Sequence, residues 1–359
     1  MLAVEKKKKR TLKVTSKKRV IELERLLQDF IAGIGALDFS FPATQAALGA
    51  AVKADLGQHQ KSLSQAGTPE ELRSLGNALL KAVEHVEEPD KKKQRKKVRF
   101  QANFSGDIAV LMKYLDRFLI LSKAENLVVR SLLIALISEF DTFSGSLIRF
   151  LRSLKPHFFD FHNKEIPFRE IAASGSLKSL EDSLVTHEIE NLLRCGQKER
   201  LKWIQGKTNA QIIEKLPSFS VFMEATQRRN LFVHTDGKIS RQYLEVCERE
   251  GYISERSLRI GEKLEINQAY FFCASASVLE VGIMSAFYAV DNLNVIETNS
   301  LFATMRSVAW KLNQNHHSAL TTTLLEALVA SKNINKVQVK LLEKIKVDLA
   351  IAYSIRGND

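Results

Sequence analysis

The stretch VRSLLIALISEFDTFSGSLIRFLRSL, residues 129–154, decides the fold. Its large apolar side chains fall at Val129, Leu133, Leu136, Phe140, Phe143, Leu147, Phe150 and Leu154, in alternating steps of four and three. That spacing gathers them on one stripe of a helix, whereas a strand would send them to both faces. An amphipathic helix of this length must lay its stripe against other elements. Ser122 and Glu125 have the spacing of a capping box and set the expected start. Arg149, Arg152 and Lys155 suit the negative end of the helix dipole, and Pro156 sets the stop.

The same periodicity extends outward. Toward the C-terminus it predicts helices over residues 179–193, 198–204, 209–216, 218–233, 241–249, 265–290, 301–313, 319–330 and 336–356. Toward the N-terminus it predicts helices over 20–33, 43–56 and 70–86, the last opened by Thr68-Pro69-Glu70-Glu71, a capping hydroxyl, a proline preset for the first turn and two acids at the positive end of the dipole. With 16 Gly and 6 Pro in 359 residues, a sandwich or barrel lacks its turns, and a collagenous or disordered chain is excluded. The expected fold class is all-α: a helical bundle over residues 101–297, with an accessory helical region over 1–100 and a helical extension over 298–359. Leu349, Ala350, Tyr353 and Gly357 have the spacing of the first helix of a tetratricopeptide repeat and resemble half of one unit, a pattern that any amphipathic helix also produces.

Charge narrows the function. The first twenty residues carry nine bases and one acid, and residues 91–99 carry seven bases and no acid, so the rest of the chain is slightly acidic although the net charge is +12. A surface built to follow duplex nucleic acid spreads its bases to neutralise many phosphates. These two runs read as tails or linkers, which aid solubility or loose RNA contact. Cys195, Cys247 and Cys273 are odd in number and far apart, so a disulfide framework and a thiolate zinc site are both unsupported, and a reduced cytoplasmic setting is expected. The charged N-terminus has no apolar segment of the secretory kind. Residues 270–290 are apolar enough to invite a membrane reading, but Ser275, Ser277, Glu280 and Ser285 suit a buried central helix better.

The candidate chemistry lies in Gln227-Arg228-Arg229-Asn230-Leu231-Phe232-Val233-His234-Thr235-Asp236-Gly237. The apolar stripe of the preceding helix runs through Phe219, Phe222 and Thr226, and polar residues then stand where core is due. Asn230 and His234 are four apart and share a face. Arg229 points about 140° from His234, with a long side chain, and Asp236-Gly237 ends the helix nearby. A guanidinium, an amide and an imidazole can converge at that terminus. The bland alternative is a histidine that caps carbonyls, beside surface arginines.

This stretch resembles the HEPN superfamily, whose signature is an arginine, a polar residue that is often Asn, a short spacer and a histidine. Arg229, Asn230 and His234 match it with four residues between arginine and histidine, and Arg228 offers a register with five. The setting is similar over residues 105–295: a long preceding helix with the acids Glu139 and Asp141 near its middle, the motif helix, a turn, and a hydrophobic final helix. The resemblance implies an all-α, commonly dimeric domain, and in many members a metal-independent endoribonuclease of toxin–antitoxin or antiphage systems. It implies His234 for proton transfer, Arg229 for the phosphate, Asn230 for orientation, with Arg228, Glu139 and Asp141 supporting, no cofactor, an RNA substrate, and a homodimer held in check by a regulatory partner or antitoxin.

Two other function classes stay open: a non-catalytic helical adaptor, and an RNA-binding regulator that does not cut. His157, Asp160 and His162 are weak metal-ligand candidates among Phe158, Phe159 and Phe161, without a fourth ligand. His187-Glu188-Ile189-Glu190 lacks the second histidine of a zinc protease, and His316 and His317 read as loop residues. No phosphate-cradling glycine loop, nucleophile elbow or dinucleotide fingerprint occurs.

Overall fold

The computed structural model describes residues 2–66, 108–155, 158–159, 161, 165–253 and 258–357. Among them the fold is all-α: eleven α-helices, two short 3-10 turns at Ile213–Lys215 and Ile334–Lys336, and a single isolated antiparallel bridge, Lys238 to Lys263. The helices are α1 (Leu2–Ala66), α2 (Ile108–Leu154), α3 (Phe168–Ala173), α4 (Leu177–Arg194), α5 (Gln197–Thr208), α6 (Phe219–His234), α7 (Arg241–Arg249), α8 (Gln268–Leu293), α9 (Thr298–Gln314), α10 (Ser318–Val329) and α11 (Val339–Arg356). The chain divides into two compact units, residues 1–40 with 130–359, and residues 41–129. All the residues of the arginine–histidine motif belong to the first unit.

The core of that unit is α8. Among the described residues this is the one helix long and apolar enough to cross a membrane, and most of its apolar stretch is buried inside the fold, from Val278 to Phe287 without a break. It packs against α5, α6, α9 and α10. Gly282 is the point of closest approach: a Cβ there would stand 2.4 Å from the ring of Phe30 on α1. That ring stacks on Phe143 of α2 with centroids 4.1 Å apart. Phe140 of α2 meets Phe222 of α6 edge-on at 4.7 Å. The expected stripe of α2 is buried along its length, with Phe140 against α6 and Phe143 against α1.

Glu280 would be costly in an apolar helix without partners. Its two carboxylate oxygens accept the Ser218 backbone N–H at 2.9 Å and the Ser218 hydroxyl at 2.8 Å. It thus caps the start of α6 from a neighbouring helix, serving an N–H that α6 leaves open.

Several boundaries differ from expectation. α2 begins at Ile108, so Ser122 and Glu125 lie inside the helix and do not cap it; residues 107–144 contain no Gly or Pro, and nothing interrupts helix formation across the expected start. The expected helices over 20–33 and 43–56 are parts of α1, which continues through Pro42 and includes the first basic run, so that run is helical. The helix expected over 209–216 reduces to one 3-10 turn, because Asn209 adopts a left-handed conformation (φ 54°) that ends α5. The short α3 has no counterpart among the expected helices. Residues 68–86 and 91–99, with His157, Asp160 and His162, lie outside the described residues; Phe158 and Phe159 pack on Trp203 at 5.4 and 5.3 Å. In the extension, α9, α10 and α11 pack in succession. α11 buries Ile345 and Ala352; Leu349 is half-buried, Ala350 and Tyr353 are exposed, and the Tyr353 hydroxyl bonds Glu326 of α10.

Candidate functional site

The last two turns of α6 carry every residue of the motif. Successive residues on an α-helix turn by about 100°, so Arg228, Arg229 and Asn230 point three ways. The surroundings of each side chain follow from that.

Arg228 points inward. Only 8 % of it is exposed, beside Glu224, which is not exposed at all. The Arg228 Nε donates to Glu224 Oε1 at 2.7 Å, its Nη1 donates to the Glu265 carbonyl at 3.1 Å, and its guanidinium carbon sits 3.7 Å from the centroid of the Tyr270 ring. Glu224 also accepts the hydroxyls of Tyr243 at 2.6 Å and Tyr270 at 2.7 Å. A buried carboxylate with three donors and a buried guanidinium with one anion satisfy each other, which is the condition for keeping charges out of water. Burial opposes the Arg228 charge, but Tyr270, Glu224 and Tyr243 outweigh it and raise its pKa. This cluster clamps α6 to α7 and α8. It also corrects the expectation for Arg228, whose donors face the core and not a bound strand.

Arg229 points toward α2. Its Nη2 stands 3.8 Å from Asp141 Oδ2, while Asp141 Oδ1 accepts a hydrogen bond from Arg200 Nη1 at 2.7 Å. Arg200 is buried and also donates to the carbonyls of Leu192 and Leu193 at the end of α4. One carboxylate therefore orients two guanidinium groups. The side chain of Arg229 keeps 25 % of its surface open, and its Nε is buried without an acceptor among the described residues. Of the two acids expected to support the site, Asp141 is there. Glu139 is not: its carboxylate lies against α1, where a Cβ on Gly33 would come within 2.7 Å of its Oε2. Two residues apart on a helix means about 200°, which separates them.

Asn230 is half-buried and His234 exposed, and among the described residues neither side chain has a recorded hydrogen-bond partner. Exposed Val233 lies between them and Arg229 around the helix. The structure brings Arg229, Asn230 and His234 to one helix end, open to solvent, without a direct contact among the three.

The turn beyond His234 is tightly built. Asp236 (φ 56°) and Gly237 (φ 81°) adopt left-handed conformations, and the Gly237 N–H donates to the Leu231 carbonyl at 3.0 Å. A Cβ on Gly237 would sit 2.5 Å from the ring of Phe232. The Asp236 carboxylate takes a short hydrogen bond from Arg130 Nη1 and one from Lys263 Nζ at 3.0 Å. The Arg130 bond, helped by Lys263, holds the Asp236 carboxyl below the usual carboxylate range. Arg130 in turn lies 5.3 Å over the Phe232 ring.

Sequence reasoning missed Glu224 and Arg200, and it singled out Glu280 as a charge in a buried helix without finding its partner Ser218. The one available signal was Glu224, an acid four residues before Arg228 on a helix of otherwise apolar facing residues. The partners of Glu280 and Arg200 are 62 and 59 residues away and leave no local trace. Among the described residues no three His, Cys, Asp or Glu side chains gather as a metal site. No family model matches the chain, and no curated protein or solved structure matches it either.

Proposed function

We propose that the chain is a metal-independent endoribonuclease of the HEPN type, cutting single-stranded or exposed RNA through the RNA's own 2′-hydroxyl. The observation that supports this reading is that His234, exposed and without a side-chain partner among the described residues, shares one open helix end with Arg229, which is held by Asp141.

The chemistry needs a group that moves protons near neutrality and a cation that never loses its charge. An imidazole, with an ordinary pKa of about 6.5, does the first. A guanidinium does the second and forks onto phosphate oxygens. In this reading His234 takes the proton of the attacking 2′-hydroxyl or supplies one to the departing 5′-oxygen. Arg229 neutralises the charge that grows on the phosphorus oxygens. Asn230 orients the phosphate or the imidazole. The products are a 2′,3′-cyclic phosphate and a 5′-hydroxyl. One histidine cannot serve both ends of the reaction, so a second copy supplies the other, in a cytoplasmic homodimer restrained by a partner protein until RNA must be destroyed, as in toxin–antitoxin or antiphage defence.

The test is incubation of the purified protein with labelled RNA in chelator. Wild type is expected to cut and His234→Ala to leave the RNA whole. RNA that is shifted but intact would favour the regulator, and RNA that is ignored would favour the adaptor.

One observation favours the adaptor as a second reading. On the extension, Trp310 of α9, 64 % exposed, and the exposed Ile351 of α11 line one cleft. Large apolar side chains grouped on a surface mark contact sites for other proteins.

A further inference from the structure

The isolated bridge beyond His234 places two lysines directly opposite each other. The flanking backbone bonds, Ile239 N–H to the Glu262 carbonyl at 2.9 Å and Leu264 N–H to the Gly237 carbonyl at 3.0 Å, make Lys238 and Lys263 a non-hydrogen-bonded pair. In such a pair the side chains leave from the same side and stand closest together. Like charges in that position destabilise a ladder unless an anion lies between them. Among the described residues the only carboxylate bonded to the pair is Asp236, two residues past His234, and it is already shared with Arg130. Glu262, the nearest acid in the chain, accepts from the Arg259 N–H. Three cations thus face one carboxylate, and exposed Lys238 has no recorded ionic partner among the described residues.

We propose that Lys238 and Lys263, with Arg130 and Asp236 at their base, form a phosphate-contact site that holds the backbone of single-stranded RNA where it passes His234. The choice of RNA rests on the ribonuclease reading. The anion site rests on the charge imbalance. Arg130 and Asp236 fix the position of Lys263, and Lys238 supplies the uncompensated charge. An RNA strand lying across Arg229 and His234 would meet these lysines on leaving the catalytic residues, so the site contributes to binding and register and takes no part in the bond-breaking step.

The experiment measures binding of a fluorescein-labelled single-stranded RNA by anisotropy, in chelator, with His234→Ala as the parent so that nothing is cut. Each neutralised phosphate contributes about 0.7 to the slope of log affinity against log salt for a single strand. K238Q/K263Q is therefore expected to lower that slope by about 1.4 between about 50 and 200 mM salt, so that its loss of affinity is about sevenfold larger at the lower salt than at the higher. K238R/K263R, which keeps the charge, is expected to bind like the parent. K344Q/K346Q, which removes two exposed lysines from α11, is expected to leave the slope unchanged. An unchanged slope in K238Q/K263Q overturns the proposal, as does an equal loss in K344Q/K346Q, no binding by the parent, or displacement of RNA by polyglutamate as readily as by unlabelled RNA. Failure of wild type to cleave RNA overturns the nuclease reading and leaves this measurement standing, so the two ideas fail separately.

Discussion

Arg229 and Asp141 face each other across 3.8 Å between α6 and α2, and the distance is set by a third residue, Arg200, whose 2.7 Å hydrogen bond holds the same carboxylate from behind. Arg229 is therefore held at the edge of the fold while a quarter of its side chain stays open. Removing the carboxylate has two separable effects. Asp141→Ala leaves Arg200, 1 % exposed, with only two carbonyls as partners, which should cost about 3 kcal/mol. It also frees Arg229 from its orientation, so under the proposed ribonuclease reading RNA cleavage should fall about tenfold or more. Asp141→Asn keeps an acceptor for Arg200, and its stability should fall less while its cleavage falls as far. Chemical unfolding measured alongside cleavage checks this. Equal cleavage by wild type and Asp141→Asn would show that Arg229 does not depend on the carboxylate.

The Glu224 cluster makes a harsher test. Arg228→Met leaves a carboxylate with no exposed surface facing only two tyrosine hydroxyls, and the stability lost should be about 3–5 kcal/mol. Arg228→Lys is no conservative change. It gives up the planar group that covers the Tyr270 ring and the reach to the Glu265 carbonyl. Urea midpoints should fall in the order wild type, Arg228→Lys, Arg228→Met. If Arg228→Met unfolds at the wild-type midpoint, the cluster is not what clamps α6 in place.

How far the sequence discloses this arrangement depends on the range of the interaction. The stripe from Val129 to Leu154 needs only neighbours three and four residues away, and those residues are buried as expected. The end of α6 at Asp236-Gly237 is equally local, since the conformation of one residue ends the helix. Expectations that relied on a single local signal fared worse. Ser122 and Glu125 have the spacing of a cap, but uninterrupted helix formers on both sides carry α2 through them. Glu139 and Asp141 look alike in sequence, and only their angular separation sends one to α1 and the other to Arg229. The inward turn of Arg228 has one local partner, Glu224, but its other two, Glu265 and Tyr270, lie some forty residues on, where no local pattern announces them.

The crossing of α1, α2 and α8 rests on an absent side chain. Gly282 leaves room for Phe30, and an added methyl would begin 2.4 Å from that ring with Phe143 at 3.3 Å behind it. Both rings are buried and stacked on each other, so neither can swing away without opening the core. Gly282→Ala should therefore destabilise by about 1–3 kcal/mol even though alanine is the better helix former. Gly282→Ala combined with Phe30→Leu should recover part of the loss. A single alanine variant that melts above wild type would mean that the rings yield more easily than their packing implies.

Alkaline pH should loosen α6 through the tyrosines of α7 and α8 that bond its Glu224. Burial, then the Glu224 carboxylate, pushes Tyr243 and Tyr270 well up, and the same two causes push Tyr252 up to about 12 and Cys247 up to about 11. In the unfolded chain these groups lose their protons near about 10 for tyrosine and about 8.5 for cysteine. Below those values folded and unfolded forms are equally protonated and the stabilisation is complete. Above them the unfolded chain sheds protons that the folded chain retains, and stability falls as pH climbs toward the raised values. The thermal midpoint should thus decline gently above about pH 8.5 and steeply above about pH 10. Y243F/Y270F removes two of the titrating groups and should flatten the steep part. At pH 7 the same variant should be less stable by about 1–3 kcal/mol, because Glu224 loses two of its three donors. A wild-type midpoint that holds level through pH 11, or a double variant with the wild-type slope, would mean that these hydroxyls are not retained by Glu224 in the folded chain.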